Sequence, residues 1–144
     1  MPVGLILYLP KLPRGKTSMP GSNYLILCVD DEKVGLLVRK ALLEKAGYCV
    51  LTAPNGPEGL DLFSQNPVDA VVLDYSMPGM NGGEVALRMR AAKPEVPILL
   101  LSAYTSMPSE VLEQVDYYMT KGEGPQALLD KITQMLSRAS NGVA

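Results

Sequence analysis

Five short apolar runs divide the chain from residue 24 onward, with more polar segments between them. The runs cover residues 24–29, 48–53, 68–73, 96–101 and 115–120. Continuous apolar runs of this kind are typical of parallel strands that are buried on both faces, whereas a strand with one solvated face would alternate. The pattern therefore predicts five buried strands joined by long connections.

The connecting segments carry helical patterns and helix-boundary residues. After the first run, apolar residues recur at helical spacing at Val34, Leu37, Val38, Ala41 and Leu42. Gly47 stands where a left-handed cap would end that helix, and a second helix is expected to end near residue 65. Further helices are predicted over residues 83–92 and, in short form, near residues 107–114. The last helix has Pro125 in its first turn. Its expected buried residues are Leu128, Ile132, Met135, Leu136 and Ala139.

Strands that alternate with helices predict an α/β fold in three layers. A doubly wound, five-stranded parallel sheet would lie between two layers of helices, with right-handed crossovers. We assign residues 23–140 to this domain and residues 141–144 to a tail. Residues 1–22 hold four of the twelve prolines and are expected to form an extended or disordered leader. A short extra strand over residues 5–9 is the alternative.

The composition excludes several classes of function. With 13 basic and 15 acidic side chains and a formal charge of −2, the chain lacks the basic balance of a nucleic-acid-binding domain. It contains no histidine, which excludes histidine-dependent triads and the common zinc sites. Cys28 and Cys49 lie inside apolar runs, which predicts two buried thiols in a reducing compartment. No run reaches the roughly 20 apolar residues that span a bilayer, so we expect a cytoplasmic location without membrane insertion.

Residues that can support chemistry follow four of the five predicted strands. They are Asp30 and Asp31 after the first strand, Asp74 after the third, Ser102 after the fourth and Lys121 after the fifth. The carboxyl ends of parallel strands share one edge of the sheet, where ligands bind. Carboxylates that meet there repel one another and need a cation, and oxygen ligands without histidine or thiolate suit Mg²⁺ or Mn²⁺. Together with a lysine and a hydroxyl, they favour phosphoryl transfer to a carboxylate.

Each of these residues also has an ordinary structural explanation. Asp30 or Asp31 could cap the first helix, and Asp74 could belong to a turn. Ser102 could bond to backbone, and Lys121 could be a solvated surface residue. The functional interpretation is favoured because all five residues fall at the same end of the predicted sheet.

Four segments resemble the receiver domains of two-component response regulators, including the chemotaxis regulators. They are residues 29–32 (VDDE), 74–82 (DYSMPGMNG), 101–103 (LSA) and 117–121 (YYMTK). They are similar to that family's acidic pair, phosphoacceptor loop, switch hydroxyl, and final strand with its lysine. The likeness covers about residues 23–139. It implies a flavodoxin-like sheet with strand order 2-1-3-4-5.

The resemblance also implies how the site would be phosphorylated and which residues would bind a metal ion. Asp74 would become an aspartyl phosphate by accepting a phosphoryl group from a sensor histidine kinase or a histidine phosphotransfer protein. Asp30, Asp31, Asp74 and the backbone carbonyl of Ser76 would hold Mg²⁺ or Mn²⁺. The domain would be a phosphoprotein that assists its own phosphorylation and dephosphorylation, and not an enzyme in the usual sense.

The same resemblance implies a conformational switch. Lys121 would pair with the phosphoryl oxygens, and Ser102 would move to bond to them. Tyr118 would rotate inward on activation, and the change would be read by a downstream protein target. Three alternatives stay open: a degenerate receiver that only docks, an aspartate-based phosphatase, and a cofactor-binding protein on the same kind of sheet.

Two features depart from the family pattern. Gly122 follows Lys121 where the family usually has proline, so we expect a trans peptide bond and a looser loop. The stretch between Ser102 and Lys121 is a few residues short, which predicts a short or irregular fourth helix. An acidic rim is expected there from Glu110, Glu113 and Asp116.

Overall fold

The computed structural model describes residues 24–140. The predicted leader over residues 1–22 and the predicted tail over residues 141–144 lie outside the described residues. The strands are β1 (Leu25–Val29), β2 (Cys49–Ala53), β3 (Ala70–Asp74), β4 (Ile98–Ser102) and β5 (Tyr117–Thr120). The helices are α1 (Lys33–Lys45), α2 (Gly56–Gln65), α3 (Gly82–Ala92), α4 (Ser109–Leu112) and α5 (Pro125–Ser140), with a 3₁₀ turn over Lys121–Glu123.

All five strands are parallel and follow the order β2-β1-β3-β4-β5. The predicted fold class and strand order are therefore confirmed. Every residue of the three central strands is buried, which explains their continuous apolar runs. None of the described helices is both long enough and apolar enough to cross a membrane.

Two hydrophobic clusters cover the two faces of the sheet. One cluster joins alternate strand residues to Phe63 of α2 and to Val85 and Met89 of α3. The other joins the remaining strand residues to α1 and α5. In α5 the expected residues Leu128, Ile132, Met135 and Leu136 are buried, and Ala139 is half-buried. These helices fix the positions of the loops at the carboxyl edge of the sheet.

The helix predicted after β1 is present, but its buried face differs from the apolar pattern that predicted it. Leu36 and Leu43 are buried, whereas Val34, Leu37 and Val38 are 75 %, 58 % and 61 % exposed. Helical spacing identifies a helix without saying which of two apolar stripes faces the sheet. An exposed apolar stripe therefore remains on the outside of α1.

The prediction of two buried thiols is wrong for one of them. Cys28 is buried in β1, and burial raises the pKa of its thiol to about 12, against a smaller opposing effect from the charge of Arg39. Cys49 is exposed and free. Cys49 begins β2, and β2 is an edge strand, so only one of its sides has a neighbouring strand.

The region from β4 to α5 agrees in part with the expected departures. Helix α4 has only four residues, as predicted. No cis peptide bond occurs among the described residues, so the Lys121–Gly122 bond is trans. The segment is not a loose loop, however, because Thr120 and Glu123 form a capping box around the 3₁₀ turn. Asp116 does not join an acidic rim, because its carboxylate lies 2.6 Å from Arg90 Nη2 and pairs with it.

Candidate functional site

Three carboxylates meet at the carboxyl edge of the sheet. Asp30 directly follows β1 and Asp74 is the last residue of β3, and these two strands are neighbours. Oxygens of Asp30, Asp31 and Asp74 all lie within 4.8 Å of one another. Asp30 and Asp74 are 1 % and 2 % exposed, whereas Asp31 is exposed. The structure thus brings the three predicted acidic residues together with one of them open to solvent.

Asp74 is held as a buried carboxylate with few partners. Lys121 Nζ lies 2.7 Å from Asp74 Oδ1. Apart from this ion pair, no described residue donates a hydrogen bond to either oxygen of Asp74. Burial raises the pKa of Asp74, and the charges of Asp30 and Asp31 raise it further against the opposing effect of Lys121. An ionised Asp74 is therefore under-compensated by the residues around it.

Lys121 is the cation that faces this cluster. Its Nζ lies 3.8 Å from Asp30 Oδ2 and 3.8 Å from Glu32 Oε1 in addition to its contact with Asp74. Partial burial lowers the pKa of Lys121, but the hydrogen bond and charge of Asp74, followed by the charges of Asp30 and Glu32, outweigh burial and raise the pKa overall. Lys121 therefore stays protonated beside the carboxylates.

Arg39 is a second cation at the site that the sequence interpretation missed. Its guanidinium forms an ion pair with Asp30 Oδ2, while Asp30 Oδ1 accepts the amide N–H of Glu32 at 2.8 Å. Arg39 continues the buried stripe of Leu36 and Leu43 at helical spacing. A charged residue within the stripe that faces the sheet was the signal that could have identified it.

The loop after β3 depends on a close backbone approach. A Cβ on Gly82 would lie 2.5 Å from the carbonyl oxygen of Asp74, and the Gly82 amide donates to the Tyr75 carbonyl at 2.8 Å. Asn81 and Glu84 form a capping box at the start of α3, which fixes where the loop ends. Ser76 lies within this loop and is exposed.

Ser102 and Tyr118 are joined through the loop that follows β4. Ser102 ends β4, is 1 % exposed, and its Oγ accepts the Tyr104 amide N–H at 3.0 Å. The Tyr118 hydroxyl donates to the carbonyl of the same Tyr104. The two predicted switch residues therefore share Tyr104 as a hydrogen-bond partner.

Residues 26–133 match the family model described as the response regulator receiver domain. The chain belongs to this family. The acidic pair, the phosphoacceptor loop, the hydroxyl and the lysine predicted from the sequence all stand within the matched range. Receiver domains are signalling modules of two-component systems and not enzymes of the usual kind.

Curated relatives of this receiver domain are regulatory proteins that it matches over only part of their length. Transcriptional regulatory protein RprY of Bacteroides fragilis is 36 % identical over 118 residues, which is 79 % of this chain and 49 % of the relative. Response regulator MprA of Mycobacterium sp. strain KMS is 38 % identical over 121 residues, which is 80 % of this chain and 51 % of the relative. The chain thus spans about half the length of these relatives.

Solved structures show the same receiver fold. A CheY-like receiver domain protein from Methanospirillum hungatei has a TM-score of 0.80 at 28 % identity, covering 83 % of this chain and 98 % of that one. Response regulator TrrA from Thermotoga maritima, in complex with Mg²⁺–BeF, has a TM-score of 0.74 at 36 % identity, covering 78 % of this chain and 98 % of that one. Both are similar to this domain over nearly their whole length.

Proposed function

We propose that the domain accepts a phosphoryl group on Asp74 from the phosphohistidine of a sensor kinase or a histidine phosphotransfer protein, and that the reaction requires Mg²⁺. The observation that carries the proposal is the buried Asp74 carboxylate, whose oxygens have Lys121 as their one close partner among the described residues. A buried polar group without enough partners is costly. Buried carboxylate oxygens with so few partners are able to bind a ligand. Here the ligands would be a metal ion and a phosphoryl group.

The acidic cluster fits a divalent cation. Its three carboxylates place oxygens within 4.8 Å of one another, and apart from Lys121 no described residue donates to the buried Asp74 oxygens. Asp30, Asp31, Asp74 and the Ser76 carbonyl would hold Mg²⁺ or Mn²⁺, which prefer oxygen ligands. The cation would supply positive charge against the carboxylates and the phosphoryl oxygens. The structure of TrrA in complex with Mg²⁺–BeF supports this assignment.

The transfer exchanges one bond for another. A carboxylate oxygen of Asp74 forms a bond to phosphorus while the bond from phosphorus to the donor's histidine nitrogen breaks, and that nitrogen keeps the electron pair. Lys121, already in contact with Asp74, would neutralise a phosphoryl oxygen, and the Ser102 hydroxyl would donate to another. Because the Asp74 oxygens are buried, residues around them would have to move for the donor to reach them.

The shared contacts of Tyr104 support a switch. Phosphorylation adds about 1.5 to 2 negative charges and three strong acceptor oxygens beside Ser102. A Ser102 hydroxyl drawn to the phosphoryl group would change its bond to the Tyr104 amide, and Tyr104 also binds the Tyr118 hydroxyl. The rearrangement would therefore reach the surface formed by α4 and β5, where a downstream protein would read it.

The exposed apolar stripe of α1 is a surface for the phosphodonor. Val34, Leu37 and Val38 lie on the helix that begins three residues after Asp30, beside the acidic site. Neighbouring exposed apolar residues of this kind often mark a protein contact.

We also propose a cytoplasmic location, because Cys28 and Cys49 are both free, as is usual in a reducing compartment.

Mass spectrometry after incubation with acetyl phosphate tests the phosphoacceptor. We expect one phosphoryl adduct in the wild type that requires Mg²⁺ and is absent in Asp74→Asn. Asp69→Asn is the matched control, because Asp69 is also buried but accepts the amide N–H of Leu25 at the other end of the strands. Loss of the adduct only in Asp74→Asn would support the proposal. An unlabelled wild type, under conditions that label another receiver domain, would favour a module that only docks.

A further inference from the structure

Arg39 is a cation for which the transfer scheme above has no role. It reaches the acidic site from within α1, nine residues after Asp30, and pairs with the Asp30 carboxylate. The Arg39 side chain is only 15 % exposed and that of Asp30 is 1 % exposed. Charge pairs so far removed from solvent are screened by salt much less than surface pairs. The pair therefore influences the electrostatics of the site.

Gly35 leaves the space that the guanidinium occupies. It lies one helical turn before Arg39, on the same face of α1. A Cβ on Gly35 would lie 3.5 Å from Arg39 Nη2 and 3.6 Å from Nη1. An alanine methyl group would just contact the guanidinium, and a bulky side chain such as leucine would crowd it. Glycine within a helix is less favourable than alanine, and here this unfavourable residue leaves room for Arg39.

Both oxygens of Asp30 are engaged within the protein. Oδ1 accepts the Glu32 amide at 2.8 Å, and Oδ2 contacts Arg39, with Lys121 Nζ 3.8 Å away. A metal ion that takes Asp30 as a ligand has to share an oxygen with one of these contacts or displace it. The guanidinium is the close partner with a full positive charge, so it is the group that competes with a cation.

We propose that Arg39 is a positioning residue that competes with the divalent cation for Asp30 and thereby sets the metal affinity of the acidic site. Without metal, the guanidinium holds the Asp30 carboxylate and offsets part of the charge of the three acidic residues. With metal bound, Arg39 gives up Asp30 Oδ2. The inference rests on the proposed function, because it takes the acidic cluster to be the metal site.

The test is the binding of Mn²⁺ to the full chain, measured from the electron paramagnetic resonance signal of free Mn²⁺. Arg39→Met should bind Mn²⁺ about 10-fold more tightly than the wild type, because one competing charge is gone. Arg39→Lys should lie between them, since lysine keeps the charge without the forked guanidinium. Arg90→Met is the matched control, because Arg90 pairs with Asp116, next to the start of β4, and its Mn²⁺ affinity should equal that of the wild type.

A second variant and a second measurement guard against effects on folding. Gly35→Leu keeps the arginine but fills its space, and it should also tighten Mn²⁺ binding. Urea unfolding should show that Arg39→Met is less stable than the wild type without metal and that saturating Mg²⁺ narrows the difference. Equal or weaker Mn²⁺ binding by both variants would overturn the proposal. Phosphorylation of Asp74 is read separately by mass, so a labelled wild type with unchanged Mn²⁺ affinity in the variants overturns only the role of Arg39.

Discussion

Asp74 is expected to lower the stability of the metal-free protein, and the substitution Asp74→Asn tests this. The variant keeps nearly the same side-chain shape while it removes the charge. Asp74 is 2 % exposed, and its pKa is raised by burial and by the charges of Asp30 and Asp31 in spite of Lys121. We predict that Asp74→Asn has a higher free energy of unfolding than the wild type at pH 7 without divalent metal.

The magnitude follows from the distances within the site. At an effective dielectric constant of about 20, each of the two carboxylates, with an oxygen no more than 4.8 Å away, repels Asp74 by at least roughly 3 kcal/mol. By the same estimate Lys121, 2.7 Å away, attracts it by about 6 kcal/mol. The two repulsions together at least match the one attraction, so the desolvation of the buried carboxylate is left without compensation. After allowance for solvent around Asp31 and Lys121, we expect the free energy of unfolding of Asp74→Asn to exceed that of the wild type by about 1 to 3 kcal/mol.

The gain should depend on pH in a direction fixed by the raised pKa. In the folded state the Asp74 pKa lies above its ordinary value of 3.8. The penalty is therefore present while Asp74 is ionised in the folded state, declines as the pH falls through the raised pKa, and is absent below the unfolded value. The advantage of Asp74→Asn should thus be largest near neutral pH and shrink on acidification.

Urea denaturation followed by circular dichroism in EDTA, at pH 7 and pH 5, measures this difference. The control is Asp116→Asn, because the Asp116 carboxylate lies 2.6 Å from Arg90 Nη2 and accepts the Ile98 amide at 2.7 Å. The control should lose about 1 kcal/mol, since it weakens favourable contacts. If Asp74→Asn is no more stable than the wild type at pH 7, or if its advantage over the wild type grows at pH 5, the electrostatic reasoning is refuted.

Three further substitutions test other contacts of the site. Gly82→Ala places a methyl group 2.5 Å from the Asp74 carbonyl oxygen and should cost about 2 to 3 kcal/mol in thermal or urea unfolding; an unchanged midpoint would contradict the close approach. Asn81→Ala removes the capping box with Glu84 and should cost about 1 kcal/mol by the same measurement, with no loss of phosphoryl labelling. Lys121→Met leaves the buried Asp74 carboxylate without its close cation, so it should destabilise the metal-free protein by about 1 to 3 kcal/mol; added Mg²⁺ should restore part of the loss, and no destabilisation in EDTA would count against the ion pair.

The central strands could be predicted well because their chemistry is uniform. In β1, β3 and β4 every residue is buried, so the apolar runs identify the strands, and the residues that follow them mark the edge with the site. The boundaries were predicted less accurately, since β3 and β4 each begin two residues after the first residue of the predicted apolar run. Pro97, just before β4, has no amide hydrogen to give to a strand ladder.

The parts that the sequence did not reveal depend on distances between elements. The buried face of α1 follows Leu36 and Leu43 rather than the longer apolar stripe of Val34, Leu37 and Val38, because two stripes compete at the same helical period. Arg39 was missed for the same reason, since it stands out as a charged residue in the sheet-facing stripe only once Leu36 and Leu43 are known to form that stripe. The local sequence pattern predicts the helices and strands, whereas the packing of these elements determines which side chains contact one another.

Because only one of the two cysteines is exposed, a maleimide reagent should label the domain selectively at one end. With a pKa of about 12, the buried Cys28 thiol is almost wholly protonated at neutral pH, whereas Cys49 is exposed. Cys49 is the first residue of β2, and in a parallel sheet the starts of the strands lie opposite the edge that carries Asp74. Wild-type protein tethered to a sensor chip through Cys49 would therefore present its acidic end to the solution, oriented for kinetic measurements with a kinase.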